Sequence, residues 1–177
     1  MYVRLFFSSP YCFTSSLSDK VNTYEARLAA HIAVRIANFY GAGFDPRNTL
    51  GIIVPYRNQI ALIRKELEKA FKEYRGVPKT DMITIDTVER FQGSQRDVII
   101  FSATVQQLYQ LEFLTSNNFV EDFDKGGRII DPKLNVVMTR ARKQLILIGN
   151  EQVLSNNSVY KALIDHVKQQ GIFVAPE

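Results

Sequence analysis

The sequence predicts an α/β fold whose mostly parallel sheet is covered on both faces. Three observations carry this. Short runs such as Leu50–Val54 and Val98–Phe101 are apolar throughout, the pattern of strands buried on both sides. Segments with apolar residues spaced three and four apart stand between them. Strand and helix patterns then alternate almost to the end, with no internal repeat. The chain has 177 residues, 46% of them hydrophobic, enough for one domain with a sizeable core. Residues 1–177 are expected to form that single domain, with 1–21 a loop-rich leading segment.

The apolar start, Met1 to Phe7, is cut off by Ser8-Ser9-Pro10, too soon for a convincing signal peptide. Residues 8–23 are rich in Ser, Pro, Asn and Thr and read as loop. Leu28, Ile32 and Ile36, with Ala29, Ala33 and Phe39 beside them, predict a helix that stops at Gly41 and Gly43. Leu50–Val54 is a buried strand closed by Pro55. Ile60, Ile63, Leu67, Ala70 and Tyr74 line the apolar face of the next helix, and Lys65, Glu66, Glu68, Lys69 and Lys72 its wet face. Gly76-Val77-Pro78 ends it.

Met82–Ile85 and Val98–Phe101 are two further strands. Between them, Thr87 to Gln92 has room for one helical turn, which Asp86-Thr87 would cap. Residues 105–131 read as irregular and polar, broken at Gly126-Gly127. Pro132 suits the first turn of a helix carrying Leu134 to Arg142. Leu145–Ile148 is a strand. Ser158 would cap a last helix with Val159, Leu163 and Val167 inward, and Gly171 would end it before an edge strand at Ile172–Val174.

Composition narrows the chemistry. One cysteine excludes an internal disulfide, and His31 and His166 stand far apart, so no structural metal is expected. No apolar run approaches a membrane span of about 18–20 residues, and an intracellular, soluble protein without membrane contact is expected. The net charge of +4 suits a polyanion partner without demanding one. Lys125, Arg128, Lys133, Arg140, Arg142 and Lys143 crowd one stretch against Asp131 alone, either as a solvated face or as a nucleic-acid contact.

There is no G-x-x-x-x-G-K-[ST] phosphate loop, no G-x-G-x-x-G, no nucleophile elbow and no histidine–carboxylate pair. What remains are cationic and amide donors beside the ends of strands. Arg140 and Arg142, two apart, would diverge by about 200° on a helix, so only one could meet a given phosphate. Both could equally decorate a helix surface. Gly93 lets backbone amides approach an anion, and Gln92 can donate and accept. Phe91 is either core or a stacking platform.

Five segments, in order, resemble the 5′→3′ branch of superfamily 1 helicases, the group of RNA-decay, senataxin-like and flap-processing nuclease-helicases. Asn22–Ala26 resembles that family's "N-x-x-E-A" helix start, and Gly51–Gln59 its "IGIITPYxxQ" strand and turn. Ile85–Gly93 resembles motif V, "VDTVDxFQG". Leu134–Arg142 resembles motif VI, "LNVALTRAR", and Ile146–Asn150 the strand that follows. The likeness runs from about residue 22 to about residue 150.

The resemblance implies a RecA-like three-layer sandwich of P-loop NTPase type, lacking its own P-loop: the C-terminal motor half of an ATP-dependent DNA or RNA helicase. It implies that ATP and Mg2+ are held mainly by an N-terminal RecA-like domain of the same protein. Arg140 would be the arginine finger on the γ-phosphate, with Gln92, Gly93 and Gln95 around the nucleotide. Gln95 stands where the family often has a ribose-binding Glu, and Lys133 where it favours Arg. Tyr56, Asp86, Thr87, Lys133 and Asn135 would meet single-stranded DNA or RNA. The rival readings are a nucleic-acid-binding module without motor function and a degenerate, helicase-derived scaffold.

Overall fold

A computed structural model describes residues 3–10, 20–72, 80–91, 93–115, 120–122 and 128–176. Its centre is a six-stranded sheet in the order β3-β2-β4-β7-β1-β8, parallel throughout. The strands are β1 (Val3–Ser8), β2 (Leu50–Val54), β3 (Thr84–Thr87), β4 (Arg96–Ser102), β7 (Ala141–Gly149) and β8 (Ile172–Val174). Side chains alternate across it, as a pleated strand requires. Ile52, Ile85, Ile100 and Ile146 face α1 (Thr23–Tyr40) and α2 (Arg57–Phe71). Ile53, Ile99, Phe101, Leu145 and Leu147 face α4 (Pro132–Arg140) and α6 (Ser158–Gln170). Helices on both faces make the expected three layers.

α1 packs closely because its buried face is mostly alanine: Ala26, Ala29, Ala30, Ala33 and Ala37. Asn22 caps it, accepting from the Glu25 amide, and Gly41 ends it in the left-handed region at φ 51°. Phe39 does not join that face as expected. It is 87% exposed at the end of the helix. In α2, Ile63 and Leu67 are buried as expected, Ile60 and Ala70 are half-buried, and Phe71, not named in the sequence reading, joins the buried face. Tyr74 lies outside the described residues.

Several boundaries differ from the sequence reading. Residues 3–8 are a central strand, β1, between β7 and β8, and not part of a loop-rich leader. Residues 105–131 hold a short helix, α3 (Leu111–Leu114), with Leu111 and Leu114 buried. They also hold an antiparallel pair, β5 (Val120–Asp122) and β6 (Arg128–Ile130). α5 (Glu151–Leu154), capped by Asn150, was not anticipated. Asn157, not Ser158, caps α6, and Tyr160 and Ile164 join Leu163 and Val167 in the core while Val159 is half-buried. After Asp86-Thr87 there is a single turn of helical spacing and no longer helix, and the Asp86 side chain accepts from the adjacent Thr87 amide without capping that turn. A turn returns the chain, with the Thr87 carbonyl accepting from Arg90 and Phe91.

Phe91 belongs to the core, 1% exposed. Gly51 makes room for it: a Cβ there would lie 2.5 Å from the tip of the Phe91 ring. The helix of motif VI stops at Arg140. Arg142 sits in β7, so its divergence from Arg140 arises from a change of backbone and not from helical rotation.

Candidate functional site

The predicted residues separate to opposite ends of the sheet. At the C-terminal end, β2 runs out through Pro55 into Tyr56, and β3 ends at Thr87. Here lies a groove of about 450 Å³, lined by Tyr56, Arg57, Asn58, Thr87, Arg90 and Phe113, with Lys20 and Glu89 beside them. The Tyr56 ring stacks on Phe113 at 4.8 Å and 13°. Lys133, at the start of α4, donates to the Phe113 carbonyl at 2.7 Å and lies 3.8 Å from Glu89.

Tyr56 and Thr87 therefore share one groove, with Lys133 tied to its wall. Asp86 does not line it. The Asp86 carboxylate accepts from the Thr87 amide at 2.9 Å and is turned to its own backbone. Asn135 is exposed on α4 and does not line the groove either.

A buried polar network, unforeseen as such, braces the C-terminal ends of the strands. Glu25 is fully buried and accepts from Ser9 (3.2 Å), Asn22 (3.1 Å), Ser102 (2.7 Å) and the Thr104 amide (2.9 Å). Gln59 binds both backbone groups of Asn22 and reaches Ser102 at 3.5 Å. Burial raises the Glu25 pKa to about 7 from 4.5, against the opposing pull of its donors. Thr104 is held at φ 59°, uncommon for a β-branched residue. The available sequence signals were the "N-x-x-E-A" and "PYxxQ" segments, which supply Asn22, Glu25 and Gln59.

At the N-terminal end, Arg140 closes α4 and Ala141 opens β7 opposite Arg96. Gln95 donates to the Thr139 carbonyl at 3.1 Å. Arg142 Nε donates to Asp97 at 2.8 Å and its Nη2 to the Asn48 carbonyl at 2.9 Å. Lys143 donates to the other Asp97 oxygen at 2.6 Å. Burial works against an ionised Asp97, yet hydrogen bonds from Lys143 and Arg142 outweigh it and hold the carboxyl below its usual range. The basic run is thus not one continuous strip. Lys133 serves the groove, Arg142 and Lys143 close an ion cluster, and Lys125 lies outside the described residues.

Arg140 is the exception. Its guanidinium makes one long contact, 3.4 Å to the Thr139 hydroxyl, and its Nε is buried without a hydrogen-bond partner; the Arg96 Nε is buried unpartnered too, but its terminal nitrogens donate to the Gln95 carbonyl and the Thr84 hydroxyl. Buried donors of this kind are normally satisfied. Gly93, two residues before Gln95, has φ 80° and open space where a side chain would stand. Gln92 lies outside the described residues. A guanidinium with no carboxylate partner suits an anion such as a nucleotide phosphate. Among the described residues no group of His, Cys, Asp or Glu could hold a metal, and no helix is long and apolar enough to cross a membrane.

A six-stranded, all-parallel sheet between two helical layers is an α/β architecture of the kind RecA-like domains have. A family model described as "AAA domain" matches residues 8–152. "Regulator of nonsense transcripts 1" of Dictyostelium discoideum is 34% identical over 91% of this chain and 11% of its own length. "Helicase sen1" of Schizosaccharomyces pombe is 30% identical over 92% of the chain and 9% of its own length. "DNA polymerase alpha-associated DNA helicase A" of Saccharomyces cerevisiae is 38% identical over 62% of the chain and 13% of its own. The chain belongs to this family and is a C-terminal domain of the superfamily 1 helicase type. It spans about a tenth of the length of these curated relatives.

Proposed function

We propose that this domain is the C-terminal motor half of an ATP-dependent helicase acting 5′→3′ on single-stranded DNA or RNA inside the cell. ATP and Mg2+ would be held chiefly by an N-terminal RecA-like domain facing the N-terminal end of this sheet. ATP supplies the phosphoryl group whose transfer to water drives stepping. Arg140 meets the γ-phosphate and stabilises charge developing on it, while the Gly93 backbone lies alongside. The Gln95 amide nitrogen is committed to Thr139, which leaves its oxygen to accept from a ribose hydroxyl. Tyr56 and Thr87 line the strand-binding groove, with Lys133 at its wall.

The observation that carries the reading is the contrast among neighbours. Arg142, Lys143 and Gln95 are committed to partners, and Arg140 is not. Arg140 forms no ion pair among the described residues, and a phosphate would supply the anion it lacks. The test is phosphate release by the full-length protein and by this chain alone, each with and without single strands. Strand-stimulated release by the full-length protein and none by the chain is expected. Robust release by the chain alone, or a full-length protein that hydrolyses no ATP, overturns the reading.

A further inference from the structure

Resting on that strand-binding groove, we infer that Phe113 is a stacking platform for a nucleobase, covered by Lys133 until a strand arrives. α3 buries Leu111 and Leu114 and leaves Phe113 48% exposed on the groove wall. The ring is nonetheless held in place. Tyr56 lies parallel to it at 4.8 Å, and the Lys133 ammonium lies over it, 4.6 Å from its centroid. An aromatic and a cationic neighbour thus both flank the Phe113 ring.

Tyr56 is buried and cannot leave without opening the core. Lys133 can, because its stem is flexible and its other partners, a backbone carbonyl and Glu89 at 3.8 Å, lie at the surface. A base stacked on an aromatic face gains more than an exposed cation over the same face. The displaced ammonium then has a phosphate to meet. Charge favours the same occupant: Lys20, Arg57 and Arg90 line the groove against Glu89 alone, and Arg57 and Arg90 are exposed and form no ion pair among the described residues. Phosphates track the cations while one base turns onto Phe113.

The chain contains no tryptophan, so Phe113→Trp places a single reporter at the platform. Short oligothymidylate and an abasic strand of the same length are titrated against it, with anisotropy of the labelled strand reporting binding. Quenching by the base-bearing strand, and none by the bound abasic strand, is expected. Phe113→Leu keeps apolar volume without a ring. It should weaken oligothymidylate binding about ten-fold and leave abasic binding unchanged, with melting temperature checking the fold. Equal loss for both strands, or equal quenching, overturns the platform while leaving strand binding intact. If the unmodified chain binds neither strand at low salt, the groove itself is misread and both proposals fall.

Discussion

At the C-terminal end of the sheet, Glu25 accepts from four donors in a fully buried setting. At the N-terminal end, Asp97 accepts from Arg142 and Lys143, whose side chains are 42% and 63% exposed. Both carboxyl groups fasten neighbouring elements together, but in different media. Burial makes the first bracing sensitive to protons, because the charged form loses its hydration. Water and salt screen the second, which makes it weak but tolerant of movement. The difference teaches that one sheet can hold a rigid groove at one end and a loosely tethered cation at the other. The rule that open α/β sheets bind ligands beyond the carboxyl ends of their strands covers the groove. It does not cover Arg140, which lies at the opposite end.

The largest expected effect falls at the loose end. In the full-length protein, Arg140→Ala should lower ATP turnover by about 10³–10⁵ with little change in melting temperature or strand affinity. Arg140→Lys should not rescue it, since an ammonium lacks the planar fork. Normal turnover in Arg140→Ala would mean that the uncommitted guanidinium serves some other purpose.

The next effect falls at the buried end. The Glu25 pKa is raised on folding, so its contribution to stability is fully present below about pH 4.5 and is lost as pH rises through about 7. From this group alone, urea unfolding should show stability falling on the order of 1–3 kcal/mol across that window. Glu25→Gln forfeits an acceptor and starts lower, but its profile should be flatter there. Parallel profiles for the two proteins would show that Glu25 is ionised throughout.

The smallest effect sharpens the contrast. Arg142→Ala removes two hydrogen bonds that tie β7 to Asp97 and Asn48, yet it should cost no more than about 1 kcal/mol, because the pair is exposed. Turnover should fall far less than in Arg140→Ala. If Arg142→Ala proves the inactive variant, the assignment of roles between the two arginines is reversed.

What the sequence reveals and conceals follows from range. β2 and α2 are legible because their patterns are local: a run of five apolar residues, and a three-four spacing. β1 is not, because its short run resembles a frayed terminus until β7 and β8 flank it. α3 has four residues, too few for a periodic signal. The end of the motif VI helix is hidden because Arg140-Ala141-Arg142-Lys143 suits helix and strand alike. Motif resemblance singled out Arg140, Tyr56 and Thr87 as candidates without any geometry. It could not show that Ser102 meets Glu25 across 77 positions, or that Arg142 reaches Asn48 across 94. Those contacts exist only once the sheet has formed, and they decide which arginine is left uncommitted.

One element joins the two ends. α4 begins at the groove, with Lys133 on Phe113, and finishes at Arg140. Its nine residues make a rod about 13 Å long, closed at its start by the buried Asp131 cap and Pro132. Its first turn and its last therefore lie at opposite ends of the sheet, one helix length apart. One short helix thus carries both a residue that flanks the groove and the arginine at the far end of the sheet.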